Sequence, residues 1–268
     1  MTEELSRRLQ ALGLTEEEEI LFEPFAVHAA SWPGFSDIET LSDYYEAAQC
    51  YIRTVALSFC ERGVRFASLD GVLISPFAEI GEGTVIYPNV QIRHGVRIGR
   101  NCVIGAGSVI ENSTIGDGCV VNATQIYQSE LENNVKIGPF CHVRPNTHLA
   151  EGVKIGDFVE IKNSTVGRDT HASHLTYIGD SDVGERVNFG CGTVTVNYDG
   201  KHKHRTVIGN DVFIGCNSNL VAPVTLADNS YTAAGSTITD DVPKQALGIA
   251  RARQVNKDGW VTKKKESE

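Results

Sequence analysis

The sequence lacks the features that would place it in or across a membrane. Nowhere in its 268 residues does an apolar run approach the roughly 20 residues needed to cross a bilayer. The first ten residues, MTEELSRRLQ, begin with acids and contain no apolar core of the kind found in a signal peptide. We therefore expect a cytoplasmic protein without a membrane partner.

Paired cysteines and positive charge are also lacking. The seven cysteines are odd in number and none falls in a CxxC pair, so reduced thiols are expected rather than a disulfide framework or a zinc site. Against 34 acidic residues there are only 24 basic ones, a formal net charge of −10. This charge excludes a non-specific nucleic-acid binder, and any anionic ligand must be held by a local basic cluster.

Residues 1–72 differ in pattern from the rest of the chain. Thr2 and Thr15 stand where short helices could begin. Apolar residues then recur at spacings of three and four from Leu41 to Phe59, and Gly63 follows, which predicts an amphipathic helix over about 41–62. We interpret residues 1–72 as a helical N-terminal appendage that caps the next domain.

A period of six begins near residue 73. A helix would need apolar spacings of three and four and an amphipathic strand a spacing of two, so six indicates short strands joined by tight turns. We predict a mainly β fold, a left-handed parallel β-helix over residues 73–242, followed by a basic tail over 243–268. The aliphatic positions that carry this period include Ile80, Ile86, Ile92, Ile98, Ile104, Ile110, Ile137, Val143, Leu149, Ile155, Ile161, Ile208, Ile214, Leu220, Leu226 and Ile238.

The period breaks once, in a polar loop at residues 197–206. The loop carries the turn sequence NYDG and the basic run KHKHR, the cluster that an anionic ligand would require.

Three motifs occur in order around this break: HLTYIG at 174–179, VNFGCGT at 187–193 and NYDGKHK at 197–203. Together they resemble the glucosamine-1-phosphate N-acetyltransferase half of the bifunctional bacterial enzyme that makes UDP-N-acetylglucosamine. The resemblance covers about residues 73–265, and residues 1–72 do not resemble the pyrophosphorylase half of that enzyme. It implies a hexapeptide-repeat acyltransferase that uses acetyl-CoA without a metal, and a homotrimer with sites between subunits.

The resemblance also implies roles for individual residues. His174 matches the general base of that family. Imidazole titrates near neutrality, which suits a general base. The match to the sugar-phosphate contacts covers Arg144, Lys162, Tyr177, Asn188 and Lys203, and Glu160 matches a residue that orients a catalytic partner. Arg144 and Lys162 are 18 residues apart, three repeats, so both should lie on one face in adjacent coils, where a phosphate would relieve their repulsion. The alternative is two solvated charges paired with Glu151 or Glu160.

Acetyl-CoA contacts are implied at Cys191, Asn197, Tyr198, Cys216, Ala234 and Arg251. Two of these depart from the family pattern, because Cys191 stands where Ala is usual and Cys216 where Ser is usual. Both replacements are small, so backbone groups could still bind the acyl donor.

Other functions are open to the same fold. One is a non-catalytic or regulatory β-helix of a sugar-nucleotide enzyme. Another is a γ-type carbonic anhydrase, which binds a metal through histidines, and His142, His148, His171 and His174 invite that interpretation. His142 and His148 are six residues apart, however, and should point from different faces of one coil. The sequence does not distinguish glucosamine from galactosamine as the sugar.

Overall fold

The computed structural model describes residues 40–266. The short helices expected after Thr2 and Thr15 lie outside this range. None of the described helices is long and apolar enough to cross a membrane.

Helix α1, Leu41–Cys60, covers the first coil of the β-helix. It begins at a capping box, in which the Asp43 backbone N–H donates to the Thr40 hydroxyl and the Thr40 backbone N–H donates to the Asp43 carboxylate. Its buried face joins the core of the coils through Tyr51, Val55 and Phe59. The helix predicted over about 41–62 is therefore confirmed, with its end two residues earlier, and it caps the β-helix.

Thirty short strands follow in the described residues, and all pairings between them are parallel. They form three sheets, the faces of a prism, so that each coil contributes one strand to each face. This architecture confirms the predicted hexapeptide-repeat β-helix.

Sheet A contains β1 (Arg65–Phe66), β4 (Val85–Ile86), β7 (Val103–Ile104), β10 (Val120–Val121), β13 (Lys136–Ile137), β16 (Lys154–Asp157), β19 (His171–His174), β22 (Asn188–Phe189), β25 (Phe213–Ile214), β28 (Tyr231–Thr232) and β30 (Leu247–Gly248). Sheet B contains β2 (Leu73–Ile74), β5 (Gln91–Ile92), β8 (Val109–Glu111), β11 (Gln125–Tyr127), β14 (His142–Val143), β17 (Glu160–Lys162), β20 (Tyr177–Gly179), β23 (Val194–Val196), β26 (Asn219–Val221) and β29 (Thr237–Ile238). Sheet C contains β3 (Glu79–Ile80), β6 (Arg97–Ile98), β9 (Thr114–Ile115), β12 (Ser129–Leu131), β15 (Thr147–Leu149), β18 (Thr165–Val166), β21 (Ser181–Val183), β24 (Thr206–Ile208) and β27 (Val224–Leu226).

The six-residue period sets the core because one aliphatic side chain per strand points inward. Ile86, Ile104, Val121 and Ile137 are register partners in successive coils of sheet A, and each is at most 2% exposed. Burying one such side chain contributes about 1.5–3 kcal/mol, and only the neighbouring coils can bury it. Stacking of coils therefore supplies most of the stability.

The strands extend beyond the limits 73–242 on both sides. The first strand, β1, begins at Arg65, and the last, β30, pairs with β28 and ends at Gly248. Residues 251–262 are exposed, and helix α2 occupies Trp260–Glu266.

Candidate functional site

Five residues stand one above another along the corner between sheets A and B. The pairing of β16 with β19 and the registers of β19 with β22, β22 with β25 and β25 with β28 align them, one per coil. Successive members are about 4.8 Å apart, the spacing of paired strands. We call this set the corner column: Asp157, His174, Cys191, Cys216 and Ala234.

The first two members of the column form a hydrogen-bonded pair. His174 Nδ1 lies 2.7 Å from Asp157 Oδ1, and the side chains are 58% and 41% exposed. The hydrogen bond from His174 lowers the pKa of Asp157 below its usual value. An ionised carboxylate can only accept, so Nδ1 donates and, in the neutral ring, Nε2 keeps the lone pair that a base needs.

Sequence reasoning did not identify Asp157 as a site residue. It precedes His174 by 17 residues, one coil of 18 that is shortened by one because the aliphatic spacing from Ile161 to Val166 is five, so a count through that short step could have placed the two side by side.

The C-terminal part of the column is lined by small side chains. Cys191 is half-buried, whereas Cys216 and Ala234 are exposed. The Arg251 side chain reaches the end of the column, where its Cδ lies 3.8 Å from the position that a Cβ on Gly235 would take. The column therefore offers an open strip, with a base at one end and an arginine at the other.

Sheet B beside the column carries two cations on neighbouring coils. The backbone N–H of Arg144 donates to the carbonyl of Ile161, which puts Arg144 opposite Lys162 on the outer face. Arg144 Nη1 also donates to Glu160 Oε1 at 2.8 Å. Glu160 thus neutralises Arg144, and the orienting role that the resemblance implies for it stays a prediction.

A buried carboxylate, Asp180, organises the far edge of sheet B. Its side chain is 6% exposed, accepts from the amides of Asn163 and Asn197, and lies 3.7 Å from Lys162 Nζ. Burial raises the pKa of Asp180, but those amides and the nearby cation outweigh it and hold the pKa below its usual value. Sequence reasoning missed both Asp180 and Asn163, which are again 17 residues apart.

Lys203 lies close to Lys162, and the proximity of the two ammonium groups lowers the pKa of Lys203. Arg144, Lys162 and Lys203 form what we call the cation cluster. Its net charge is reduced by Glu160 and Asp180, yet Lys203 is still held against a like charge, a situation that a bound anion would relieve.

Tyr177 is held flat against the sheet between these groups. Its hydroxyl accepts from Asn197 Nδ2 at 3.3 Å, and a Cβ on Gly179 would come within 2.3 Å of that hydroxyl oxygen. Only glycine at position 179 leaves room for the ring in this orientation.

The loop at 197–206 is a small hairpin. Tyr198 and Lys203 form an antiparallel bridge, and the Asp199 carboxylate accepts from the backbone N–H groups of Lys201 and His202, which contributes to a pKa for Asp199 of about 2. Tyr198 is exposed, and its hydroxyl donates to the Gly200 carbonyl.

The base of the hairpin is held by Arg205, whose guanidinium donates to both carboxylate oxygens of Asp182 in the preceding coil. Asp182 and Arg205 therefore fix the position of the loop on the coils.

One predicted contact lies apart from both groups. Asn188 sits on sheet A, three residues before Cys191, and flanks the corner column from the side opposite to sheet B. Within one chain the structure thus brings together His174, Cys191, Cys216, Ala234 and Arg251 in one group, and Arg144, Glu160, Lys162, Tyr177, Asn197 and Lys203 in another, with Tyr198 exposed on the hairpin beside its turn.

The histidines of the carbonic anhydrase alternative lie on different faces. His142 is on sheet B, His148 on sheet C and His171 on sheet A. Over residues 40–266, no group of three or more His, Cys, Asp or Glu side chains is placed to hold a metal ion.

Comparison with known proteins agrees with the coil architecture. The family model described as "Bacterial transferase hexapeptide (six repeats)" matches residues 77–112, 129–163 and 205–240. The structure of an Arabidopsis UDP-N-acetylglucosamine acyltransferase superposes with a TM-score of 0.51 over 66% of this chain and 72% of its own, at 18% identity, which supports the fold alone.

Curated relatives are much more similar in sequence. The chain is 57% identical over 76% of its length to "Bifunctional protein GlmU" of Caldicellulosiruptor saccharolyticus, of which it covers 44%. It is 50% identical over 88% of its length to the protein of the same name from Halalkalibacterium halodurans, of which it covers 51%. The chain thus spans about half the length of the curated relatives it matches.

Proposed function

Because the chain belongs to the hexapeptide-repeat transferase family, with the bacterial GlmU proteins among its relatives, we propose that it transfers acetyl from acetyl-CoA to the 2-amino group of glucosamine 1-phosphate. The observation that carries this proposal is the His174–Asp157 pair, at the head of an open strip and beside a cation cluster on the same coils.

The base is needed because an ammonium group cannot attack a thioester. His174 Nε2 takes a proton from the 2-ammonium group, and the free amine attacks the acetyl carbonyl. Attack leaves a positive charge and two hydrogens on the sugar nitrogen, so collapse of the tetrahedral intermediate expels the CoA thiolate and the nitrogen loses its second proton, which the thiolate takes up to give the free thiol and the amide. Asp157 stabilises the imidazolium that forms during the first step, since its carboxylate accepts from Nδ1.

The cation cluster supplies the site for the sugar phosphate. Arg144, Lys162 and Lys203 carry positive charge on one face, and the Tyr177 hydroxyl, which accepts from Asn197, keeps its own hydrogen to donate beside them. A phosphate bound there orients the sugar, so that the 2-amino group is directed to the corner column.

The corner column supplies the site for acetyl-CoA. Three coil steps separate His174 from Ala234, about 14 Å, so an extended pantetheine arm can lie along the small side chains of Cys191 and Cys216. Arg251 at the far end is placed to meet a phosphate of CoA. No metal takes part in these steps.

We also propose that the site is completed in a homotrimer. Three apolar side chains lie next to the corner column: Phe140, Phe158 and Leu175, which are 61%, 57% and 58% exposed. The two phenylalanine rings stack with their centroids 5.5 Å apart. An exposed apolar strip of this kind favours self-association. Tyr198 on the hairpin and Asn188 on sheet A would then reach the site of a neighbouring subunit. Seven free thiols fit a cytoplasmic setting.

The test is to mix the purified protein with acetyl-CoA and either glucosamine or galactosamine 1-phosphate and to follow the loss of thioester absorbance. We expect loss with glucosamine 1-phosphate, with the acetylated sugar phosphate detected by mass spectrometry. Absence of transfer to both sugars, with acetyl-CoA and sugar phosphate still binding, would instead indicate a non-catalytic β-helix.

A further inference from the structure

Cys191 and Cys216 are neighbours in space although 25 residues separate them in sequence, because the loop at 197–206 enlarges the coil between them. The backbone N–H of Asn217 donates to the Cys191 carbonyl at 2.7 Å, which fixes the two turns against each other. In-register partners of paired strands are about 4.8 Å apart, within the range of about 4.4–6.8 Å between Cα atoms that a disulfide spans.

The other cysteines are not placed for the same chemistry. Cys50 and Cys60 are both exposed, but ten residues of helix α1 put them about 15 Å apart. Cys102 and Cys119 are also register neighbours, yet each is 0% exposed and donates its thiol to a carbonyl inside the corner. Cys191 and Cys216 are therefore the stacked pair, among the cysteines of residues 40–266, that an oxidant in solution can reach.

We propose that Cys191 and Cys216 are a thiol pair that a small-molecule disulfide oxidises to an intramolecular disulfide, and that this bond closes the corner column to acetyl-CoA. The closure rests on the proposed function, in which the corner column binds the acyl donor.

One molecule of an oxidant of the class R–S–S–R is enough to oxidise the two thiols. A thiolate of the pair attacks one sulfur of the oxidant, forms a mixed disulfide and releases one R–S–H after proton uptake. The second cysteine thiolate then attacks the mixed disulfide, forms the Cys191–Cys216 bond and releases the second R–S–H. Two electrons pass from the protein thiols to the oxidant. A thiol reductant reverses both steps, as is usual for accessible disulfides.

The consequence for binding follows from the place of the pair in the column. Both side chains lie between His174 and Ala234, where the pantetheine arm must pass. A bond between them replaces two separate thiols by a bridge across the strip. We expect acetyl-CoA to bind at least about tenfold more weakly, the effect of losing one or two hydrogen bonds.

The experiment oxidises the intact protein with glutathione disulfide, blocks the remaining thiols and maps tryptic peptides. Cleavage after Arg186, Lys201, Arg205 and Lys244 puts the two cysteines in separate peptides, residues 187–201 and 206–244, so the bond appears as one linked pair. A bond between Cys102 and Cys119 would instead stay within the single peptide 101–136. Calorimetry with acetyl-CoA alone then compares the reduced and oxidised protein.

We expect the linked 187–201/206–244 peptide, a fall from seven titratable thiols to five, weaker acetyl-CoA binding, and full reversal by dithiothreitol. Cys50→Ser should respond as the wild type does. Cys191→Ala and Cys216→Ser should give no linked peptide and stop at a mixed disulfide with glutathione on the remaining thiol, whereas oxidation should not change the acetyl-CoA affinity of the double variant Cys191→Ala/Cys216→Ser relative to its own reduced state.

Mixed disulfides alone, or a bond confined to Cys102 and Cys119, would overturn the proposal. A Cys191–Cys216 bond with unchanged acetyl-CoA affinity would overturn the closure. Failure of the proposed function would look different: the reduced protein would not bind acetyl-CoA or transfer acetyl, whatever the peptide map shows.

Discussion

Replacing Asp157 by asparagine isolates the role of one carboxylate. The change keeps the shape of the side chain but removes the charge that His174 Nδ1 faces at 2.7 Å. An amide can present either its oxygen or its NH₂ group to the ring. When the NH₂ group faces Nδ1, the proton moves to Nε2, and the ring can no longer act as a base from that nitrogen.

The size of the effect follows from what the base supplies. General base catalysis contributes about 10²–10⁴-fold, and the same change in a buried catalytic triad costs about 10⁴-fold. Here both side chains are about half exposed, so water partly replaces the lost charge. We therefore expect Asp157→Asn to lower kcat by about 10- to 100-fold, with little change in KM for acetyl-CoA.

The assay is the loss of thioester under saturating glucosamine 1-phosphate, with thermal unfolding measured in parallel. Asp169→Asn is the matched control, because Asp169 is an exposed turn carboxylate in the coil that follows Asp157 and is remote from the corner column. An unchanged kcat in Asp157→Asn, or an equal loss in Asp169→Asn, would refute the role assigned to the pair.

Three further predictions concern the cation cluster and the cap. Gly179→Ala should displace the Tyr177 ring, because a Cβ at position 179 would lie 2.3 Å from the Tyr177 hydroxyl oxygen. KM for glucosamine 1-phosphate should rise by about tenfold while the affinity for acetyl-CoA stays unchanged. An unchanged KM in the assay would show that the position of the ring is unimportant. The affinity for glucosamine 1-phosphate, measured by calorimetry from about pH 7 to 10, should fall at a lower pH than an ordinary lysine would give, because the charged form of Lys203 binds the anion and the pKa of Lys203 is lowered. Lys162→Met should move this fall in affinity to higher pH. An unmoved pH profile would contradict the effect of Lys162 on the pKa of Lys203. Phe59→Ala should lower the free energy of unfolding by about 3–5 kcal/mol, since the ring is 0% exposed between cap and coils, whereas Leu57→Ala, at an exposed position, should cost little in the same denaturant titration.

The architecture could be predicted because a six-residue period admits few structures. About every sixth residue is an aliphatic that points into the same core, and the stacking of Ile86 on Ile104, 18 residues apart, follows directly from the period. The helix ending at Cys60 was likewise visible in its spacing and in Gly63. The limits of the coil were harder to place, because β1 and β30 lie where the aliphatic period has faded.

The site could be predicted only in part, because contacts between coils depend on register. His174 and Lys162 stand out as residue types in motifs, whereas Asp157 and Asp180 act only through a partner about 17 residues away. Counting one coil forward or back from each candidate residue would have found both. The sequence named both Glu151 and Glu160 as possible partners of the two cations, and the choice of Glu160 by Arg144 requires side-chain rotamers that no period specifies.

The same limit applies to the basic run. Its residues look alike in sequence, but Arg205 binds Asp182 and anchors the loop, whereas Lys203 faces Lys162. Only the fold of the hairpin separates the structural role of one from the binding role proposed for the other.

The central claim is that His174 is the base for acetyl transfer, and its most direct test compares kcat of the wild type with that of His174→Gln, with acetyl-CoA and glucosamine 1-phosphate both saturating. We predict a loss of at least about 100-fold in the variant, the lower limit for removing a general base, with acetyl-CoA affinity retained. Transfer by His174→Gln at the wild-type rate would contradict the claim.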